Sequence, residues 1–403
     1  MLDGKQIVLG VTGGIAAYKA VELLRLLTKA GADVHVIMTR AATEFVTPLT
    51  FQTLSMNPVN VDLFNLISER EIGHISLADR ADLFIIAPAT ANVIGKIANG
   101  IADDMLTTTV MATKAPVLIA PAMNVNMYQN PLYRENEEKL RRHGYRFAEP
   151  ALGLLACGWE GEGKLQEPSV IFEEAVAALT PKGLAGERVL VTAGPTLEEI
   201  DPVRYVSNHS SGKMGYAIAR AAWRRGAEVV LVSGPSCLDD PWGVETLRVT
   251  SAEEMRDAVM SRLPASTVVV KAAAVADYRP ASRSAGKIKK NAETFTLELE
   301  RNPDILAAVG REKGERVLVG FAAETGDLVE NARKKLAAKN VDLMVANDVS
   351  QEGAGFNVDT NIARLLHRDG RIEELPLMGK DVLANVILDR VGELRRREMG
   401  RKG

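Results

Sequence analysis

Short apolar, β-rich runs recur along the whole chain, and they constrain its fold more than any other feature. In the first half they are Ile7–Val11, Val34–Met38, Leu83–Ala87 and Val117–Ala120. In the second half they are Val189–Val191, Val229–Val232, Thr267–Val270, Val317–Phe321 and Leu343–Val345. Segments with a helical apolar period, such as Ala16–Ala30 and Met214–Arg225, lie between most of them. A strand that is apolar at every position has no solvent face, so both of its faces must be covered. Such strands alternating with helices build parallel sheets with helices on each side. The expected fold is α/β, with two doubly wound, Rossmann-like parallel-sheet domains.

The chain has 403 residues, and domains commonly run to about 100–200 residues, so two are expected. The seam falls at Thr180–Gly186, which carries Pro181, Gly183 and Gly186 between a helix-like run and a new strand. This gives domains 1–181 and 187–403. Residues 186–194 restart the pattern of residues 4–13, in architecture rather than as a sequence repeat. A net charge of -3 gives no global field for nucleic acid. The basic tail Arg395–Gly403 reads as a solvated helix end. Two cysteines, Cys157 and Cys237, are too few for a disulfide framework and suit a reducing cytoplasm. No apolar run reaches the roughly 18 residues of a membrane span. The N-terminus runs directly into a core strand rather than a signal peptide.

In open α/β sheets ligands lie beyond the carboxyl ends of the strands. Successive strand ends in the first half carry small or polar residues: Thr12–Gly14, Thr39–Arg40, Pro88–Asn92 and Pro121–Asn124. Gly13 and Gly14 let backbone N–H groups approach an anion at the next helix start. The dinucleotide pattern Gly-x-Gly-x-x-Gly is absent, and Thr39 stands where an acidic residue would hold a ribose, which points to a mononucleotide. His74 is suited to proton transfer near neutrality, or is simply packed. Asn124 is a loop cap or an amide partner for a carboxylate. Residues 153–164 hold four glycines, Cys157 and Lys164. They read as neither helix nor strand, but as a lid that brings a thiol to a substrate or as a plain surface loop.

Taken in order, residues 10–19, 74–77, 88–92, 100–104, 121–127 and the Cys157 stretch resemble the flavin-dependent cysteine decarboxylases, specifically those acting on phosphopantothenoylcysteine. That resemblance implies FMN at the strand ends, contacted by Gly14, Thr39, Ala89, Thr90 and Asn92. It implies His74 as catalytic base, Asn124 as partner of the substrate carboxylate and Cys157 as the acid of a clamp. A cysteinyl carboxylate has no neighbouring electron sink. In the implied chemistry the flavin first oxidises the thiol to a thioaldehyde, and carbon dioxide then leaves to give an enethiolate. Reduced flavin and protonated Cys157 restore the thiol. Two positions depart from the pattern: Tyr128 stands where tryptophan is usual, and Lys164 replaces an arginine, keeping the charge but losing the planar fork.

In the second half, Ser210, Ser211 and Gly212 precede the helical run from Met214, so their N–H groups are placed to face an anion. Methionine after Gly212 and Lys213 rules out a P-loop. Small residues Ala272–Ala276 let a ligand approach the backbone, and Asp277 suits a hydrated Mg2+, which takes few carboxylates. Lys287, Lys289 and Lys290 neutralise phosphates or form a solvated face. Lys335 and Lys339 fall four apart on one helix face. On the 192–215 stretch alone, a nucleotide site and a structured loop stand level.

From residue 187 to about 375 the motifs 201–205, 208–215, 274–279, 287–290, 302–305, 320–324 and 346–349 resemble phosphopantothenate–cysteine ligase. The two halves in this order resemble the fused, bifunctional enzymes of coenzyme A biosynthesis. The implied ligation activates the carboxylate of 4′-phosphopantothenate as an acyl-cytidylate with loss of pyrophosphate; the amine of L-cysteine attacks and CMP leaves. CTP would be held by Asp277, Lys287, Asn302, Pro303, Asp304, Ile305, Phe321, Lys335 and Lys339. Asn208 would hold the acyl intermediate, Lys287 would stabilise developing phosphate charge, and Asp277 would carry Mg2+. CTP rather than ATP rests on the resemblance alone. The family pattern of decarboxylase trimers and ligase dimers implies a homo-oligomer, a dodecamer, in which one subunit's clamp serves another's flavin. Two other readings stand beside this one: a decarboxylase with a nucleotide-sensing second half, and a non-catalytic flavin-binding subunit.

Overall fold

The computed structural model describes residues 2–63, 73–154, 158–289, 294–324, 328–348, 355 and 357–400. The chain folds as two compact units, Met1–Thr180 and Pro181–Gly403.

The first unit holds strands β1 (Gln6–Val11), β2 (Asp33–Met38), β3 (Val59–Asn60), β4 (Leu83–Ala89), β5 (Val117–Pro121) and β6 (Arg146–Phe147), ordered β3-β2-β1-β4-β5-β6. Every pairing in this sheet is parallel. Side chains alternate between the two faces. Ile7, Leu9 and Val11 pack on one side with Leu23, Leu24 and Leu27 of helix Ala17–Lys29 and Ile171 of helix Pro168–Leu179. Val8, Phe84 and Ile86 pack on the other with Ile94 of helix Ala91–Ala98, Leu106 of helix Met105–Ala112 and Leu140 of helix Pro131–Arg142. Full burial of each such side chain contributes about 1.5–3 kcal/mol. This is what fixes the sheet between two helical layers.

Residues 153–164 differ from the expected loop. Their ends form a two-stranded antiparallel hairpin, β7 (Ala151–Leu154) with β8 (Glu160–Lys164). Close approach, not slack, explains Gly161 and Gly163. Gly163 has φ +126, and a Cβ on it would lie 2.4 Å from the Met123 carbonyl oxygen. The hairpin lies too close to the Pro121–Asn124 turn for any side chain at that position. Cys157 lies outside the described residues.

The second unit holds β9 (Arg188–Ala193), β10 (Leu197–Glu199), β11 (Tyr205–Ser207), β12 (Glu228–Ser233), β13 (Glu245–Arg248), β14 (Val268–Lys271), β15 (Tyr278–Pro280), β16 (Leu299–Arg301), β17 (Val317–Glu324), β18 (Leu343–Asp348), β19 (Thr360–His367) and β20 (Ile372–Gly379). Its main sheet runs β13-β12-β9-β14-β17-β18-β19-β20. The doubly wound reading holds through β18, and β19 and β20 then add an antiparallel edge. That edge escapes a search for continuous apolar runs, because β19 starts by alternating half-buried with buried positions. Helices Lys213–Arg224 and Lys380–Gly400 cover one face, and Ala252–Arg262, Ile305–Arg311 and Leu328–Ala338 the other. Strand order reverses between β1 and β4 in the first sheet, and between β9 and β14 in the second. Adjacent strand ends diverge at such points and leave a crevice.

Candidate functional sites

At the first reversal point, one hydroxyl ties two strand ends together. Thr12 Oγ1 donates to the Pro88 carbonyl oxygen at 2.7 Å and accepts the Thr90 N–H at 3.0 Å. Gly13 follows because a Cβ there would come within 2.4 Å of the Ala41 side chain. At Gly14 the space is open, with Thr90 Cγ2 nearest at 3.9 Å. Two cavities meet along this line. One, of about 530 Å³, is lined by Gly13, Gly14, Ile15, Tyr18, Lys19, Thr90, Met123, Asn124, Met127, Leu154 and Lys164, among others. The second, of about 850 Å³, is lined by Thr39, Arg40, Asp62, Thr90, Asn92, Lys96, Asp103 and Asp104, among others. Lys96 bonds Asp103 at 2.7 Å. That bond is the main reason its ammonium titrates above the usual lysine range.

The candidate flavin contacts therefore divide. Gly14 faces the first cavity, Thr39 and Asn92 the second, and Thr90 both. Ala89 is fully buried within β4 and lines neither. Asn124 caps the short helix Val125–Tyr128, its Oδ1 accepting the Asn126 N–H at 2.9 Å, and it lines the first cavity with Lys164. The hairpin delivers Lys164: the Met123 N–H donates to the Gly163 carbonyl oxygen at 2.9 Å. His74 is half-buried at the second position of helix Gly73–Arg80 and lines neither cavity. Tyr128 faces inward, 4% exposed, its ring 5.4 Å from that of Tyr133 and under the Arg134 guanidinium. The core, not the cavity, accommodates this departure from tryptophan.

Two cavities also flank the second reversal point. The larger, of about 470 Å³, is lined by Asp277, Asn302, Pro303, Asp304, Ile305, Phe321, Lys335 and Lys339, with Lys271, Arg301 and others. Every candidate nucleotide contact except Lys287 is there. Lys287 is exposed on the segment after β15. The next residue is anchored by Asp201, which accepts the N–H groups of Val203 and Arg204 at 2.8 Å and of Ile288 at 3.2 Å. Burial opposes ionisation of Asp201, but these donors and Arg204 outweigh it and hold the carboxyl below its usual range. Asp304 behaves alike. Burial would raise it, yet the Ala307 N–H and Lys339, at 3.0 Å, keep it low. Asn302 Nδ2 donates to the Ala276 carbonyl oxygen at 2.9 Å, while its buried Oδ1 has no protein partner among the described residues. A buried acceptor left open in a cavity wall suits a ligand donor.

The neighbouring cavity, of about 430 Å³, is lined by Asn208, Ser210, Ser211, Gly212, Lys213, Lys380 and others, and shares Ala273, Val275 and Phe321 with the first. Asn208 Nδ2 donates to the Val275 carbonyl oxygen at 2.9 Å. Lys271 escaped the sequence reading. Its signal is a lysine closing an otherwise apolar strand, Val268–Val270, at the reversal point. Among the described residues no group of three or more His, Cys, Asp or Glu side chains forms a metal cluster. No helix among them is long and apolar enough to cross a membrane.

Known proteins match both units. The Flavoprotein family model matches residues 1–180, and the DNA/pantothenate metabolism flavoprotein C-terminal domain matches residues 184–394. The coenzyme A biosynthesis bifunctional protein CoaBC of Bacillus subtilis is 53% identical over 398 residues, covering 98% of each chain. The protein of that name from Escherichia coli K12 is 48% identical over 395 residues, covering 97% of each. A crystal structure of the C-terminal domain of a CoaBC protein covers 54% of this chain and 99% of its own, at 44% identity and a TM-score of 0.47.

Proposed function

We propose a working scheme from one premise: this chain belongs to the CoaBC family of bifunctional coenzyme A biosynthesis proteins. It is an enzyme with two activities, a phosphopantothenate–cysteine ligase in the second unit and a phosphopantothenoylcysteine decarboxylase in the first. The observation that carries the ligase reading is the gathering of Asp277, Asn302–Ile305, Phe321, Lys335 and Lys339 around one cavity beside that of Asn208.

In the second unit the carboxylate of 4′-phosphopantothenate attacks the α-phosphorus of CTP, and pyrophosphate leaves. The amine of L-cysteine then attacks the acyl carbon; CMP leaves and the amine loses a proton. Lys335 and Lys339 stand where they neutralise phosphate charge, with Lys287 reaching in from its exposed segment. The Asn208 amide holds the acyl group against the Ala274 and Val275 backbone. Asp277, exposed at the rim, is the one carboxylate this scheme gives to Mg2+, which would offset phosphate charge there.

In the first unit the open space above Gly14, with apolar Ile15, Met123, Met127 and Leu154 around it, fits a flat heteroaromatic ring such as that of FMN. FMN held here by Gly14, Thr39, Thr90 and Asn92 would supply a reversible two-electron acceptor for oxidising the substrate thiol group. The chain's own residues orient and protonate. Asn124 and Lys164 hold the substrate carboxylate, His74 removes a proton and Cys157 supplies one. Copies of the chain assemble, as far as a dodecamer, through exposed apolar side chains such as Leu49, Met56, Leu152 and Trp159, and assembly brings His74 to a cavity. An assay with CTP, L-cysteine and 4′-phosphopantothenate, following pyrophosphate and carbon dioxide separately, tests both halves. The scheme predicts stoichiometric release of both. A colourless protein that takes up no FMN and releases no pyrophosphate would end it, and light scattering checks the assembly.

A further inference from the structure

Lys271 shares its sheet face with Val269, which packs under helices Ile305–Arg311 and Leu328–Ala338. It is 9% exposed and lines the nucleotide cavity. Among the described residues its Nζ has one acceptor, the Ala273 carbonyl oxygen at 3.5 Å. Charged groups surround it from each packed element. Asp304 stands at the start of one helix, Lys335 lies within the other and Lys339 just beyond it, and Asp277 and Arg301 lie round the same cavity. The carboxylate is already engaged, since Asp304 bonds Lys339 at 3.0 Å and the Ala307 N–H at 2.9 Å. Among the described residues Lys271 is therefore a buried amine beside a cavity of about 470 Å³, with no ion pair of its own.

We propose that Lys271 is a further binding residue of this cavity, which takes up a proton as a nucleoside triphosphate enters and then serves as a buried counter-charge to its phosphates. The inference rests on the nucleotide reading of the cavity and adds a proton to the binding step. Burial pushes the Lys271 ammonium down to about 8, with Asp304 opposing the fall and Lys339 adding to it. A polyanion beside the amine favours the charged form and raises that value. Below pH 7 the amine is already charged and binding moves almost no proton. Above pH 8 the free enzyme is largely neutral there, and binding must draw the proton from buffer. Affinity therefore falls as pH rises through that window.

Calorimetry of the full chain with CTP alone, in buffers of different ionisation enthalpy, reads the proton directly. Uptake of about 0.1 proton is expected near pH 7 and more than about half a proton near pH 8.5. In Lys271→Met the uptake disappears and affinity near pH 7 falls about tenfold or more. In Lys271→Arg affinity is retained without the pH dependence. Thermal melts confirm that the variants fold, and the wild-type uptake is informative without them. Uptake that persists in Lys271→Met belongs to Lys335 or Lys339 and overturns the assignment, as does wild-type binding without uptake. Absence of CTP binding at every pH is a separate result, which removes the nucleotide reading itself.

Discussion

Both units open their cavities where a parallel sheet changes direction, yet the two linings differ in kind. The first unit sets mostly glycines and apolar side chains (Gly13, Gly14, Ile15, Met123, Met127) around an open slot, with Lys19 and Lys164 as its charged residues. The second sets Lys271, Lys335, Lys339, Asp304 and Asp277 around a space of similar volume. The strand reversal determines where a ligand goes, and the residues that follow each strand determine which chemistry it meets. A redox ring needs flat contact and few competing charges. Phosphate transfer needs cations fixed before the substrate arrives, because reorganising them during the reaction would raise the barrier.

The largest expected effect breaks the comparison at the chemistry. Cys157→Ser lowers steady-state carbon dioxide release about 10²- to 10⁴-fold, because the last protonation fails after a single release per bound flavin, and leaves pyrophosphate release unchanged. Loss of both together would mean that the units do not act separately. Next is a pH effect confined to the second unit. The Lys271 amine titrates at about 8 when folded, against 10.5 as its ordinary value. Between those values the unfolded chain binds more protons, so stability rises with pH across that window. The cost of burying the charge is fully present below it. Lys271→Met is expected to stabilise the second unit near pH 7 by up to about 3 kcal/mol. The gap to wild type should close as denaturant melts approach pH 10.5.

Gly163→Ala acts on the first unit. Its methyl group would overlap the Met123 carbonyl oxygen at a positive φ, so the hairpin must move, with a loss of about 1–3 kcal/mol. Calorimetry should show the first unit melting earlier while ligation is unaffected. Gly14→Ala sharpens the comparison with the smallest change in fold, within about 0.5 kcal/mol, because nothing lies closer than 3.9 Å. Flavin affinity should nevertheless fall, read by fluorescence on titration with FMN. Unchanged affinity would place the ring elsewhere.

The sequence made the sheets legible wherever strands were apolar throughout, as at Ile7–Val11 and Val268–Val270. It was silent on β19 and β20, an edge hairpin in which β19 begins by alternating and β20 has no buried position. Counting glycines misread the 153–164 stretch, because Gly163 serves close approach of a strand rather than looseness. The nucleotide contacts were found by motif order, and nearly all of them line one cavity. Lys271 was passed over because it looked like the end of a strand, and only burial distinguishes it. In the first unit, sequence order drew His74 and Asn124 into one site. The fold of a single chain sets Asn124 at a cavity and His74 away from it. Spacing along a chain carries no information about which residues a second copy would contribute.

Ala273, Val275 and Phe321 form a strip of wall that faces both spaces of the second unit. In the proposed ligation, a mixed anhydride built on one side of that strip would lie beside an amine held on the other. The partition is three side chains wide, and thickening it at Ala273 would cost the enzyme its coupling before its fold.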